Sequence, residues 1–285
     1  MPQTVKIPRI YINVHEFMAS QGVIQFYQLY RTIPYPQNNI LSANQDYNIS
    51  YPNELNQGGK SFIAFLNHNF HSSGVDLNFF DSYKEDIINS SGNFIDKDGF
   101  SIMKVEDTIT RIQVDKESNL ANIVYGIFYD FPSSPDLSVK LEYSYEGIKE
   151  TTTLGGATLT NQFYNKPPYD WELGANVGNK YRKSGRKIWD ISFSFVSSES
   201  VFPTNSALDN NDEPLTTTDT LLDSNSIQRL IHLLNGGQNS FIFCSDSTNP
   251  TADNHAICKL DQNTFQFKQV AFNTYNVKMT FKEVW

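Results

Sequence analysis

Few side chains in this sequence stand in patterns that could do chemistry. His68-Asn69-Phe70-His71 carries two imidazoles three positions apart. Zinc takes three or four convergent ligands, and no other His or Cys stands at ligand spacing. The segment is therefore expected to be a strand-end turn in which Asn67 and Asn69 hydrogen-bond their own backbone. Asp209-Asn210-Asn211-Asp212-Glu213 gathers oxygen ligands as a calcium loop does, but lacks the glycine and the distal Glu of an EF-hand. An exposed loop is expected there. Cys244 and Cys258 would lie opposite each other in a hairpin that pairs Asp246 with Ala256. A cross-strand disulfide is one outcome. Two small buried thiols are the other, favoured because no secretory leader is evident.

Lys180-Tyr-Arg-Lys-Ser-Gly-Arg-Lys187 places five basic residues among eight, in a chain of net charge −9. Nucleic-acid binding needs a broader basic face with stacking aromatics, so no nucleic-acid readout is expected. Two readings remain: a solvated strand end, or a contact with an acidic neighbouring subunit. In the second, Arg182, Lys183, Arg186 and Lys187 form a subunit interface against residues 209–213 of the adjacent protomer. Tyr27, Tyr30, Tyr35, Tyr47 and Tyr51 are aromatics of the kind glycan sites use, with packing inside a loop as the favoured alternative. There is no Gly-x-Ser-x-Gly elbow, no phosphate-cradling loop and no dinucleotide fingerprint. Carboxylates are numerous, but none stands in a context that marks it as catalytic. No enzymatic activity, cofactor or metal is expected.

The elements that hold these residues read mostly as strands. Ser61 to Leu66 is a continuous apolar run, expected to be a buried strand with residues 75–80 as its neighbour. Ile109 to Val114 and Ile123 to Phe128 are two more. Asp98-Gly99 is a turn signal. Three later segments alternate with period two. Val139, Leu141, Tyr143 and Tyr145 share one face of the first. Trp189, Ile191, Phe193 and Phe195 share one face of the second, and Tyr275, Val277, Met279 and Phe281 one face of the third. Residues 241–245 and 256–260 flank a polar loop as a hairpin. One helix is clear: Ser224 caps it, Ile227, Leu230, Ile231 and Leu234 fall at helical spacing, and Asn235-Gly236-Gly237 stops it. A shorter helix is expected from Tyr11 to Ala19, ending at Gly22.

With 285 residues, two domains are the natural count. Aromatics reach 14%, charged residues only 19%, and Asn occurs 29 times. That balance suits β-structure. No run of about 18 apolar residues exists, so no membrane span is expected. Pro132-Ser-Ser-Pro135 breaks the chain. The expected organisation is a β-sandwich over 1–135, followed over 136–285 by an antiparallel β-domain with one amphipathic helix near 224–235.

Several stretches, taken in order, resemble a family of tailed-bacteriophage tail proteins. Phe62-Ile-Ala-Phe-Leu-Asn-His-Asn-Phe-His-Ser-Ser-Gly-Val75 resembles a segment of the galactose-binding-like jelly-roll domains of such proteins. Asn122-Ile-Val-Tyr-Gly-Ile-Phe-Tyr-Asp-Phe-Pro132 is similar to that domain's closing strand. Gly155-Gly-Ala-Thr-Leu-Thr-Asn161, the basic Gly185-Arg-Lys and the following strand to Phe195 resemble the family's glycine pair, basic segment and alternating strand. The stretch from Ala271 to Trp285 is similar to its last strand. The resemblance implies a galactose-binding-like jelly roll over 1–135 and a tail-tube-like module over 136–285. It implies a structural virion protein, made in the host cytoplasm. Its role would be that of a distal tail or adaptor protein, a homo-oligomeric ring (hexamer or trimer) joining the tail tube to the baseplate or receptor-binding parts. Other tail and baseplate proteins are its implied partners, and host glycans an alternative ligand of the jelly roll. In the family the ring-forming domain usually comes first; here the order is reversed, so minor tail protein and tail adaptor are implied as well.

Overall fold

The computed structural model describes residues 5–25, 27–34, 36–49, 60–80, 86–89, 98–105, 109–144, 148–162, 185–203, 225–249 and 254–284. The chain is mainly β, and every strand pair among the described residues is antiparallel. The strands in chain order are β1 (Arg9–Asn13), β2 (Asn39–Leu41), β3 (Asp46–Asn48), β4 (Ser61–His68), β5 (Leu77–Phe80), β6 (Asp86–Asn89), β7 (Gly99–Val105), β8 (Arg111–Val114), β9 (Ser118–Leu120), β10 (Asn122–Asp130), β11 (Lys140–Ser144), β12 (Ile148–Thr152), β13 (Thr158–Gln162), β14 (Arg186–Ser197), β15 (Phe241–Cys244), β16 (His255–Leu260), β17 (Phe267–Ala271) and β18 (Thr274–Glu283). Among the described residues four short α-helices join them: α1 (Val14–Ser20), α2 (Phe70–Ser73), α3 (Ser198–Val201) and α4 (Ile227–Leu233).

One large sheet organises the molecule, in the order β11-β14-β18-β16-β15-β1-β10-β4-β7, with β17 added beside β18. It is curled. Five strand spacings of about 4.8 Å would hold β7 roughly 24 Å from β16 in a flat sheet. Yet the rings of Phe100 on β7 and His255 on β16 are 5.1 Å apart. The inside of the curl is apolar, with Tyr11, Phe62, Ala64, Leu66, Val124 and Ile242 all buried. Gly126 is required where β1 meets β10, because a β-carbon there would overlap the Ile12 carbonyl oxygen.

The outer face of the curl is covered twice. At the β4 and β10 end, Ile63, Phe65, Ile123 and Tyr125 pack on Leu77, Phe79, Ile112 and Val114 of a second sheet, ordered β3-β8-β5-β6. Two apolar sheet faces thus meet, as a sandwich requires. The 75–80 segment is not the neighbour of β4 within one sheet; β5 lies in the opposing layer. At the other end, Ile10, Ile12, Ile127 and Tyr129 share a core with Trp189, Phe193, Phe243, Phe281 and the buried side of α1 and α4.

The division expected near 135 interrupts neither sheet nor core. β1 pairs with β10 on one side and β15 on the other. The Phe131 and Phe193 rings stack at 4.5 Å. The N-terminal helix starts later than its sequence suggests: Tyr11 to Asn13 belong to β1, whose residues are all buried, and the Asn13 side chain caps α1 by accepting from the Glu16 N–H. The cap of α4 is Ser226, which accepts from the Arg229 N–H at 3.2 Å; Ser224 lies outside the described residues.

Candidate functional site

The outward face of β14, β18 and β17 carries an open groove of about 550 Å³. Period two creates it. The apolar half of each strand, including Ile191, Phe193, Val277 and Met279, enters the core. Ser192, Ser194, Asn276, Lys278 and Thr280 are left pointing outward to line the groove. Asp136 forms one wall. Its carboxylate accepts from the Ser194 N–H at 3.2 Å and from the Ser194 hydroxyl at 2.8 Å. Asp190 accepts from the Thr280 hydroxyl at 2.6 Å and stands 3.7 Å from the Lys278 ammonium. Lys268 enters from β17, opposite Asn276 in the register.

One aromatic breaks the alternation. The β14–β18 register slips between Phe193 and Val196, and Phe195 takes φ 58°. A bulge of this kind re-aims a side chain, and a positive φ is an outlier for a bulky residue. The Phe195 N–H donates to the Asn276 side-chain oxygen at 3.1 Å. Phe195 is 76% exposed, so it does not share the buried face of Trp189, Ile191 and Phe193 that its spacing suggests. Val270 and Phe272, at the β17–β18 turn, are also exposed. The residues of this site come from separated strands, and none has an unusual local sequence. The aromatic at 195 was the only cue, and its spacing pointed inward.

The residues singled out from sequence are placed as follows. His68 is fully buried, and an extra residue, Asn67 at φ 48°, sets its position at the end of β4. Its Nδ1 accepts from the Phe70 N–H at 3.3 Å, so Nε2 carries the proton toward the Ser101 hydroxyl at 2.9 Å. Both nitrogens are committed within the fold. Burial pushes the His68 imidazole down to about 4, partly opposed by Asp98. His71 is exposed. No group of three potential metal ligands gathers among the described residues. At this turn the Asn69 side chain accepts from the Asn119 N–H, and that of Asn67 from the Gln37 amide.

Cys244 pairs with His255 and Cys258 with Phe241, not with each other. Cys244 faces the inside of the curl with Ile242, whereas Cys258 faces the outer core with Phe243. No disulfide can span the sheet between them, and both thiols are free. In the basic run, Lys187 is 1% exposed, and its backbone N–H donates to the Glu283 carboxylate at 2.9 Å. Lys187 is in phase with Trp189 and Ile191, so the alternation of β14 turns it into the protein. It has no surface to offer a neighbour. Arg186, the residue before it, is half-buried. Arg182, Lys183 and residues 209–213 lie outside the described residues, as do Tyr35 and Tyr51. Tyr30 donates its hydroxyl to the Asn48 carbonyl, and the Tyr47 hydroxyl accepts from the Ser42 N–H, so both serve loop packing. Tyr27 is half exposed and meets the Tyr30 ring edge-on at 6.3 Å.

β12 and β13 form a separate hairpin, paired only with each other among the described residues. Gly155-Gly156 makes its turn, with Gly156 at φ 80°. Leu154 at the tip and Leu159 on the stem are exposed. No helix among the described residues is long and apolar enough to cross a membrane. No family model, no curated protein and no solved structure matches the chain.

Proposed function

We propose that this protein is a structural subunit of a bacteriophage tail. It assembles with copies of itself into a ring at the distal end of the tail tube and joins that tube to the baseplate or receptor-binding parts. On this reading residues 1–135 act as a galactose-binding-like jelly roll, and residues 136–285 as the ring-forming module. The tail assignment rests on the sequence resemblance. The observation that carries self-assembly is the β12–β13 hairpin. An isolated two-stranded hairpin is marginally stable in water, and this one presents Leu154 and Leu159 to solvent. A neighbouring copy that covers both leucines supplies the missing third layer. In a ring such contacts are heterologous, one surface meeting a different surface of the next copy. Arg186 is the described member of the basic run that has surface left for such a contact.

The test is sedimentation of the full chain beside a Leu154→Asp/Leu159→Asp variant. The wild type is expected to sediment as a ring and the variant as a smaller species that still unfolds cooperatively. Unchanged assembly in the variant would overturn the hairpin's role.

A further inference from the structure

We propose that the exposed apolar end of β14, β18 and β17 receives the β12–β13 hairpin of a neighbouring copy of the chain. The proposal rests on self-assembly through that hairpin, and names the surface that takes it up. The strand register gathers this surface. Phe195 and Val270 each stand next to the row of Tyr275, one on either side of β18. Two strand spacings put them roughly 10 Å apart. Phe272 follows at the β17–β18 turn and is 87% exposed. Both flanking strands carry a register shift here, between Phe193 and Val196 and between Gln269 and Ala271. Bulges of this kind re-aim side chains out of the alternation. A phenylalanine held outward at positive φ is strained, and the Asn276 bond keeps it there. Such strain persists where function uses it.

Charge and position select the occupant. The centres of protein–protein interfaces favour aromatics and exclude charge. Lys268 and Lys278 beside the patch are balanced by the carboxylates of Asp136 and Asp190, so the surface favours neither an anion nor a cation. The hairpin is equally neutral. Lys149 and Glu150 offset each other, and residues 151–162 carry no charge. What those residues present instead is Leu154 and Leu159. β11, which leads into β12, flanks β14 on one side, and β17 flanks β18 on the other. A protruding element and its receiving surface on opposite sides of one strand pair meet head to tail, and that contact repeats from copy to copy.

Sedimentation of mixed variants of the full chain tests the proposal. Phe195→Asp/Phe272→Asp removes the receiving surface, and Leu154→Asp/Leu159→Asp removes the hairpin contact. Each alone is expected to sediment as the 32.5 kDa protomer. Mixed, they are expected to form pairs of twice that mass, because each retains the surface that the other lacks, and one intact contact per pair closes no ring. Wild-type assembly by the Phe195/Phe272 variant, or a mixture that stays at protomer mass, would overturn the proposal and leave the hairpin's role standing. Wild-type assembly by the Leu154/Leu159 variant would overturn that role itself. Should an aspartate variant fail to unfold cooperatively, Leu154→Cys and Phe272→Cys proteins assembled together probe the same contact. Treated with oxidised glutathione, they are expected to give a disulfide-linked pair that neither gives alone, since Cys244 and Cys258 are buried. No linked pair would overturn the proposal as well.

Discussion

His68 shows how a residue with metal-binding chemistry is turned to structural use. With Nδ1 accepting and Nε2 donating, the fold holds the neutral imidazole and excludes the charged one. Its folded value of about 4 lies below the ordinary 6.5. The unfolded chain therefore binds the proton first. Stability is complete above about pH 6.5 and is lost as pH falls toward 4, by on the order of 3 kcal/mol. Denaturant midpoints measured across that window should fall with pH in the wild type, and the slope should flatten in His68→Asn. An equal slope in both would show that other groups govern the effect. The strand end near His68 was legible in the sequence, since the apolar run of Ser61 to Leu66 stops just before it. The bulge that sets its environment was not, because a single extra residue leaves no mark on composition. Phe195 and Lys187 teach opposite lessons. Strict alternation extended back to 187 would have shown that the lysine is buried, whereas alternation extended forward to 195 fails at a bulge.

At the scale of elements, legibility followed exposure. β14 and β18 each have one wet face, so period two was plain in the sequence. β1 is buried on both faces and offers no alternation, which is why its second half reads as the start of a helix. The β15–β16 pairing was evident, but its register was not. A long polar loop does not set register, and a shift of odd length moves every side chain to the other face. That shift separates Cys244 from Cys258. The α4 helix was legible from its 3.6-residue spacing and its glycine stop. Its cap is the buried Ser226, whose hydroxyl oxygen takes up the Arg229 N–H. Ser226→Ala should lower unfolding free energy by about 1 kcal/mol, and Ser226→Asn by less. Chemical denaturation of the two variants checks this, and equal losses would mean that the hydroxyl does not act as a cap.

For the whole molecule, one curled sheet draws strands from both halves of the chain. The core beneath α1 and α4 draws Ile10, Ile12 and Tyr129 from the first half and Trp189, Phe243 and Phe281 from the second. Calorimetry should show both halves melting in one transition, and a separately expressed 136–285 fragment, lacking β1, should not melt cooperatively. Two resolved transitions would contradict the shared core. A Pro-rich break marks a loop in sequence, but only strand pairing reveals whether a sheet ends there. Self-assembly is read from the particle mass of the purified full chain over a range of concentrations. A ring gives a closed multiple of the 32.5 kDa protomer. A single 32.5 kDa species at every concentration would contradict it.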